Sequence, residues 1–157
     1  MKFFSILLIV SLSAVNIYSK EELKISKYFT LKDAIKSSTA TRYKINNYPS
    51  LQKKENIIYT GEKMDKVRSV LKKDINITSW YRGATLNQKV RGAKNSQHKD
   101  GLAVDFRIVG STTGIKRKLD EAGVSYDQLI YYPKQNRLHI SFKPNKKYDR
   151  RQYLVKK

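Results

Sequence analysis

The chain has 157 residues, with 33 Lys+Arg against 13 Asp+Glu, a formal net charge of +20 and no cysteine. That length supports one domain with one core, and the absence of cysteine excludes disulfides and a lipid-modified N-terminal cysteine. The charge points to polyanionic surroundings: wall polymers, anionic lipid headgroups or extracellular DNA for an exported protein.

For a cytoplasmic protein nucleic acid would lead, but the lysines are spread along the sequence rather than gathered in one motif, which reads equally as a generally solvated basic surface; for an exported chain nucleic acid is not the expected partner. Met1–Ser19 opens with Lys2 and continues through an apolar stretch from Phe3 to Val15. It is too short for a comfortable membrane span and reads as a signal peptide, cleaved after Ser13 or Ser19. Export without disulfides fits the bacterial periplasm, envelope or exterior. Residues 20–157 then form a single domain, since no repeat or linker interrupts them.

Lys20–Lys27 is a charged lead-in. Thr30 and Asp33 are spaced to cap a short helix that turns Leu31, Ala34 and Ile35 to one side. Residues 37–41 and 46–50 read as polar loops. Ile58, Met64, Val67, Val70 and Leu71 recur at helical spacing. They predict a main helix from Glu55 to Lys73, packed on a sheet, with a break at Gly61. Ile75–Trp80 alternates as a strand, and Arg82 follows at its end, where loop residues line clefts. A guanidinium there can clamp a carboxylate or carbonyl oxygen with paired donors. Leu86 and Val90 suggest a short helix that leads into a loop reaching Asn95.

The next stretch, NSQHKDGLAVDFRI, holds His98 and, seven residues later, Asp105. Gly101 permits the turn between them. Leu102, Val104, Phe106 and Ile108 alternate with Ala103, Asp105 and Arg107, which is the pattern of a strand with one apolar face. Thr113–Ala122 reads as a helix stopped by Gly123. Tyr126–Tyr132 and Arg137–Phe142 read as strands of a hairpin turned at Pro133–Asn136. The other histidine, His139, alternates with Leu138 and Ile140 and so shares the less apolar face. Should the two strands neighbour each other, two imidazoles and a carboxylate converge. That set suits zinc with one position left for water. Ser96 and Gln97 are placed to brace the loop and orient the ligands. Tyr148–Lys157 is a basic tail, either an edge strand or loose. The expected fold is α+β: a small, mainly antiparallel sheet, helices on one side, and the zinc site in a groove on the open face.

The pattern SxHxxGxAxD around His98 resembles the zinc D-Ala-D-Ala peptidase family of carboxypeptidases and murein endopeptidases, and more distantly the hedgehog signalling domain. ITSWYR (Ile77–Arg82), LNQKVRGAKNSQHKDGLAVDF (Leu86–Phe106), YDQLIYY (Tyr126–Tyr132) and LHIS (Leu138–Ser141) look like family blocks in family order. The resemblance spans roughly residues 28–142. TATRYKINNYP also resembles a substrate-side segment of the carboxypeptidase-like members, and reads equally as a surface loop. The resemblance implies zinc ligation by His98, Asp105 and His139, a substrate-holding role for Arg82, and hydrolysis of amide bonds in peptidoglycan stem peptides. It also exposes a departure. A glutamate expected five residues after Asp127 is Tyr132 here, and an acid expected three residues before His139 is Asn136. A phenol titrates near about 10 and is a poor base at neutral pH, though it can donate a hydrogen bond to a developing oxyanion. Two readings therefore stand at this level: a zinc peptidase with an unusual proton acceptor, and a catalytically silent zinc domain that binds wall peptide or a partner.

Overall fold

Two-residue alternation from residue 75 onward builds the sheet, and helices from both halves of the chain cover one face of it. The computed structural model describes residues 22–156, so the leader expected over Met1–Ser19 lies outside the described residues. Five helices, α1 (Leu31–Ile35), α2 (Ser38–Arg42), α3 (Leu51–Leu71), α4 (Ala84–Lys89) and α5 (Ile115–Glu121), accompany five strands. The strands are β1 (Ile75–Ser79), β2 (Ala103–Ile108), β3 (Gln128–Tyr132), β4 (Arg137–Ser141) and β5 (Gln152–Val155). They form one sheet in the order β1-β2-β4-β3-β5. The fold is α+β as expected, with a mixed sheet: β1-β2, β2-β4 and β3-β4 are antiparallel, while β5 joins β3 in parallel. Among the described residues no helix is long and apolar enough to cross a membrane.

Val104, Phe106 and Ile108 of β2, Leu138 and Ile140 of β4 and Leu129 of β3 enter one core with Ile57, Met64, Val67 and Leu71 of α3 and Leu119 of α5. The opposite residues of the same strands face away from the helices, which leaves that face free for polar chemistry. Thr30 caps α1 through the expected reciprocal pair with Asp33.

Several local expectations are corrected. The 37–41 segment contributes to helix α2, because the Ser37 hydroxyl accepts from Ala40 N and starts a turn. The main helix begins at Leu51 and runs through Gly61 unbroken. Gly61 is there for close approach: a Cβ on it would lie 3.1 Å from Ser26 Cβ and 3.6 Å from the Trp80 ring. Ile57 rather than Ile58 is the buried member of that pair, since Ile58 is exposed.

The basic tail is an edge strand, and one buried carboxylate holds it. Asp127 is fully buried and accepts from Arg150 Nε and Nη2, both at 2.8 Å, and from Arg150 N at 3.3 Å. Burial alone would raise its pKa, but the Arg150 hydrogen bonds outweigh that and hold it below the ordinary 3.8. Asp127→Asn should destabilise the protein by about 2–3 kcal/mol, the scale of hydrogen bonds to a charged group. A carboxylate whose pKa is lowered on folding stabilises fully above its unfolded value and loses the effect as pH falls through the folded value. Urea midpoints of wild type and variant should therefore differ clearly at pH 7 and converge on acidification below about 4.

Candidate metal centre

The three side chains that could hold a metal ion come from two neighbouring strands and one turn. In the β2-β4 register Asp105 stands directly opposite His139, and Ile130 of β3 stands opposite His139 on the other side. The alternation that buries Val104, Phe106, Leu138 and Ile140 sends Asp105 and His139 to the face away from the helices. His98 reaches the same point from a 3-10 turn, Gln97–Asp100, that precedes β2.

That turn is fixed by the end of β1. The pairing of β1 with β2 slips between Ile77 and Ser79, a bulge that turns Trp80 inward. Trp80 is fully buried, packs edge-on against Phe29 and donates from Nε1 to Gly101 O at 2.9 Å. Its own carbonyl faces His98 Nδ1 at 2.6 Å, and Arg82 N donates to His98 O at 3.0 Å. With Nδ1–H donating to Trp80 O, the His98 lone pair sits on Nε2 and points into the groove. The turn is also tied to α3, where Lys53 pairs with Asp100 and Asn56 Nδ2 donates to Asp100 O.

The three ligand atoms converge. His98 Nε2 lies 3.3 Å from His139 Nδ1, His139 Nδ1 lies 2.9 Å from Asp105 Oδ1, and His98 Nε2 lies 3.5 Å from the same oxygen. The group is of the kind that can hold a metal ion. His98 is almost completely buried, and that burial pushes its pKa below 6.5, which keeps the ring neutral near pH 7. For Asp105 burial acts upward, but the hydrogen bond from His139 and the neighbouring His98 hold it far below the usual carboxylate range. A neutral His98 ring and an ionised Asp105 carboxylate are the states in which these two groups can ligate a metal.

The site opens into a groove of about 450 Å³ whose walls include Arg82, Ser96, Gln97, Gln128, Tyr132 and Arg137. All the side chains that the sequence singled out meet there. Gln97 braces the turn as expected, donating from Nε2 to Phe142 O at 3.0 Å. Ser96 lines the groove but bonds through its backbone, and the group that orients His98 is the Trp80 carbonyl. Arg82 Nε is buried and makes no hydrogen bond among the described residues. TATRYKINNYP lines a separate depression through Ala40, Thr41 and Lys44–Tyr48, yet its Asn47 holds the backbone on either side of Arg82, donating to Tyr81 O at 3.1 Å and accepting from Gly83 N at 2.8 Å. Among the described residues that line the groove, Asp105 is the sole carboxylate. Asp127 is committed to Arg150, Asp100 to Lys53, and Glu121 to Arg117 on α5.

Arg137 is the residue that sequence reasoning passed over. Its Nη1 lies 3.0 Å from Asp105 Oδ2, and its guanidinium stacks 3.9 Å from the centre of the Tyr132 ring. The signal was present, since Arg137 is two residues before His139 on a strand and must share its face.

Residues 27–141 match the model of the peptidase M15 family. The chain belongs to that family. A stretch of 76 residues is also 37% identical to a protein of Haemophilus influenzae described as a probable peptidoglycan L,D-endopeptidase, MepK. The alignment covers 45% of this chain and 40% of that relative, so the chain spans less than half the length of the relative it matches. The matched M15 region takes in β1 through β4 and with them every residue of the convergent group.

Gly101 tests how firmly the turn is built. Its φ is +75°, and a Cβ there would lie 2.7 Å from Ile57 Cγ1, whereas Gly123 has φ +65° with open space around it. Gly123→Ala should cost the left-handed backbone penalty alone, about 1–2 kcal/mol. Gly101→Ala should cost more, because Ile57 must also move, and it should weaken metal binding by displacing His98. Thermal melts of the two variants and metal titration of Gly101→Ala check both.

Proposed function

We propose that this M15 domain is a zinc-dependent peptidase that cleaves an amide bond in peptidoglycan stem peptides. The observation that carries the reading is the spacing of His98 Nε2, His139 Nδ1 and Asp105 Oδ1, between 2.9 and 3.5 Å. Zinc with bonds of about 2.0–2.1 Å in a tetrahedral shell needs neighbouring ligand atoms about 3.3 Å apart. The three atoms therefore fit that ion with little movement. When bound, zinc supplies Lewis acidity to an amide carbonyl and makes water acidic enough to act near neutral pH.

The chain's own residues would do the rest. Arg82 is anchored by its backbone bond to His98 O and carries a buried Nε with no partner among the described residues. Its guanidinium suits a carbonyl or carboxylate oxygen of the peptide. Gln128 and Tyr132 offer an amide and a hydroxyl along the same wall. The family, and the endopeptidase description of the Haemophilus influenzae relative, support peptidoglycan as the substrate. The leader-like Met1–Ser19 and the +20 charge support a site of action outside the cytoplasmic membrane, close to anionic wall polymers.

A second reading is favoured by one observation: among the described residues Asp105 is the sole carboxylate lining the groove, and as a ligand it would not be free to accept a proton. A positioned general base is worth roughly 10²–10⁴-fold in rate. On this reading the domain keeps zinc and binds stem peptides without cutting them.

Both readings meet one experiment. Metal content is measured on purified protein, which is then incubated with purified peptidoglycan fragments, and products are identified by mass. The peptidase reading expects one zinc per chain and new termini at a single bond type, abolished by chelation and restored by zinc. His139→Ala should lose most of the zinc, because two remaining ligands hold the ion poorly. Zinc-loaded protein that binds fragments but releases no product selects the binding domain. Full zinc retention in His139→Ala removes the ligand assignment.

A further inference from the structure

Arg137 is held at three points. Nε donates to Gln135 Oε1 at 2.9 Å, Nη1 pairs with Asp105 Oδ2 at 3.0 Å, and the guanidinium plane lies on the Tyr132 ring at 3.9 Å. The β3-β4 register explains the arrangement, since Tyr132 and Arg137 are direct cross-strand partners. The Arg137 side chain is only 20% exposed and that of Asp105 11%. Such a guanidinium has little freedom to move, and it faces one carboxylate oxygen.

The two oxygens of Asp105 are thereby given separate duties. Oδ1 faces both imidazoles, at 2.9 and 3.5 Å, while Oδ2 faces Arg137. A carboxylate free in solution can offer a metal either one oxygen or both. We propose that Arg137 is a positioning residue that confines Asp105 to single-oxygen ligation and so keeps a coordination position open for substrate or water. The proposal rests on the zinc reading above. An arginine suits the task better than a lysine because its planar fork is oriented by stacking and by a second hydrogen bond. Tyr132 acquires a role that needs no proton transfer: its ring is the shelf that sets the guanidinium plane.

The consequence can be read without activity. Co²⁺ replaces Zn²⁺ in such sites, and its visible bands weaken sharply when a four-coordinate ion gains a fifth ligand. Co²⁺ is titrated into wild type, Arg137→Met and Arg137→Lys, each checked for native circular dichroism. Arg137→Met frees Oδ2 and should show weaker bands than wild type. Arg137→Lys keeps a cation beside Oδ2 and should recover most of the intensity. Superimposable spectra for wild type and Arg137→Met overturn the proposal. A crystal structure of the Zn²⁺-loaded wild type gives the same answer should Arg137→Met fail to fold. Oδ1 alone on zinc, with Oδ2 on Arg137, is expected there, and a bidentate Asp105 overturns the proposal. Wild type that binds neither Zn²⁺ nor Co²⁺ removes the zinc reading itself and this proposal with it. Metal binding with an unchanged spectrum removes only the role of Arg137.

Discussion

The site depends on the buried junction between Trp80 and the turn that carries His98. Trp80 gives its Nε1–H to Gly101 O and its carbonyl to His98 Nδ1, while Arg82 N bonds His98 O. One short segment at the end of β1 therefore holds both ends of the turn and chooses the tautomer of the histidine. Each of these groups is buried, where a hydrogen bond left unmade costs about 1–3 kcal/mol. The turn has no cheap alternative conformation. Phe29 against the Trp80 ring and Ile57 under Gly101 carry the constraint into the core. The residues that give His98 its direction thus come from the start of the domain, from α3 and from β1, well away from it in sequence.

On the sheet the constraint is register. Asp105 and His139 are opposed because Val104 pairs with Ile140 and Phe106 with Leu138. Those four side chains are buried in the core, so a slip by one residue would expose them and bury the polar set instead. The apolar face thereby enforces the geometry of the polar face. Electrostatics then work within that frame. Asp105 is a buried carboxylate among His98, His139 and Arg137, and burial is offset by hydrogen bonds and opposite charge. Taking the carboxylate away would leave cations in a partly buried groove with nothing to balance them, the situation in which a buried polar cluster fails.

Much of this was legible in the sequence. Alternation in residues 102–108 and 137–142 identified both strands, their inward faces and the outward placement of Asp105 and His139. Thr30 and Asp33 announced α1, and Gly123 closed α5 as expected. What was not legible depends on tertiary contact. Gly61 looks like a helix break until Ser26 and Trp80 are seen to crowd it. Helix α2 is a single capped turn with little apolar periodicity to reveal it. The parallel β5 follows from the Asp127 and Arg150 clamp, a pair separated by 23 residues. The bulge before Trp80 leaves no mark on the alternation of Ile75 and Ile77. Arg137 was visible as a face-mate of His139, but its pairing with Asp105 required the β2-β4 register.

The position of Arg137 also bears on the carboxylate that the groove lacks. Resemblance places a glutamate where Tyr132 stands, and the Tyr132 ring is stacked under Arg137. A carboxylate at that point would pair with the guanidinium, which lowers a carboxylate's pKa and weakens it as a base. A tyrosine there supports the arginine without competing with Asp105 for it. The departure at residue 132 is therefore coupled to Arg137: with an arginine at 137 that holds Asp105, residue 132 is better filled by an aromatic ring than by an acid. The result is a groove with Arg82 and Arg137 on its walls and, among the described residues, one lining carboxylate, already paired with His139 and Arg137. That charge balance favours an anionic ligand. On the peptidase reading proposed above, stabilisation of developing negative charge by fixed cations would have to carry more of the rate than acid–base exchange.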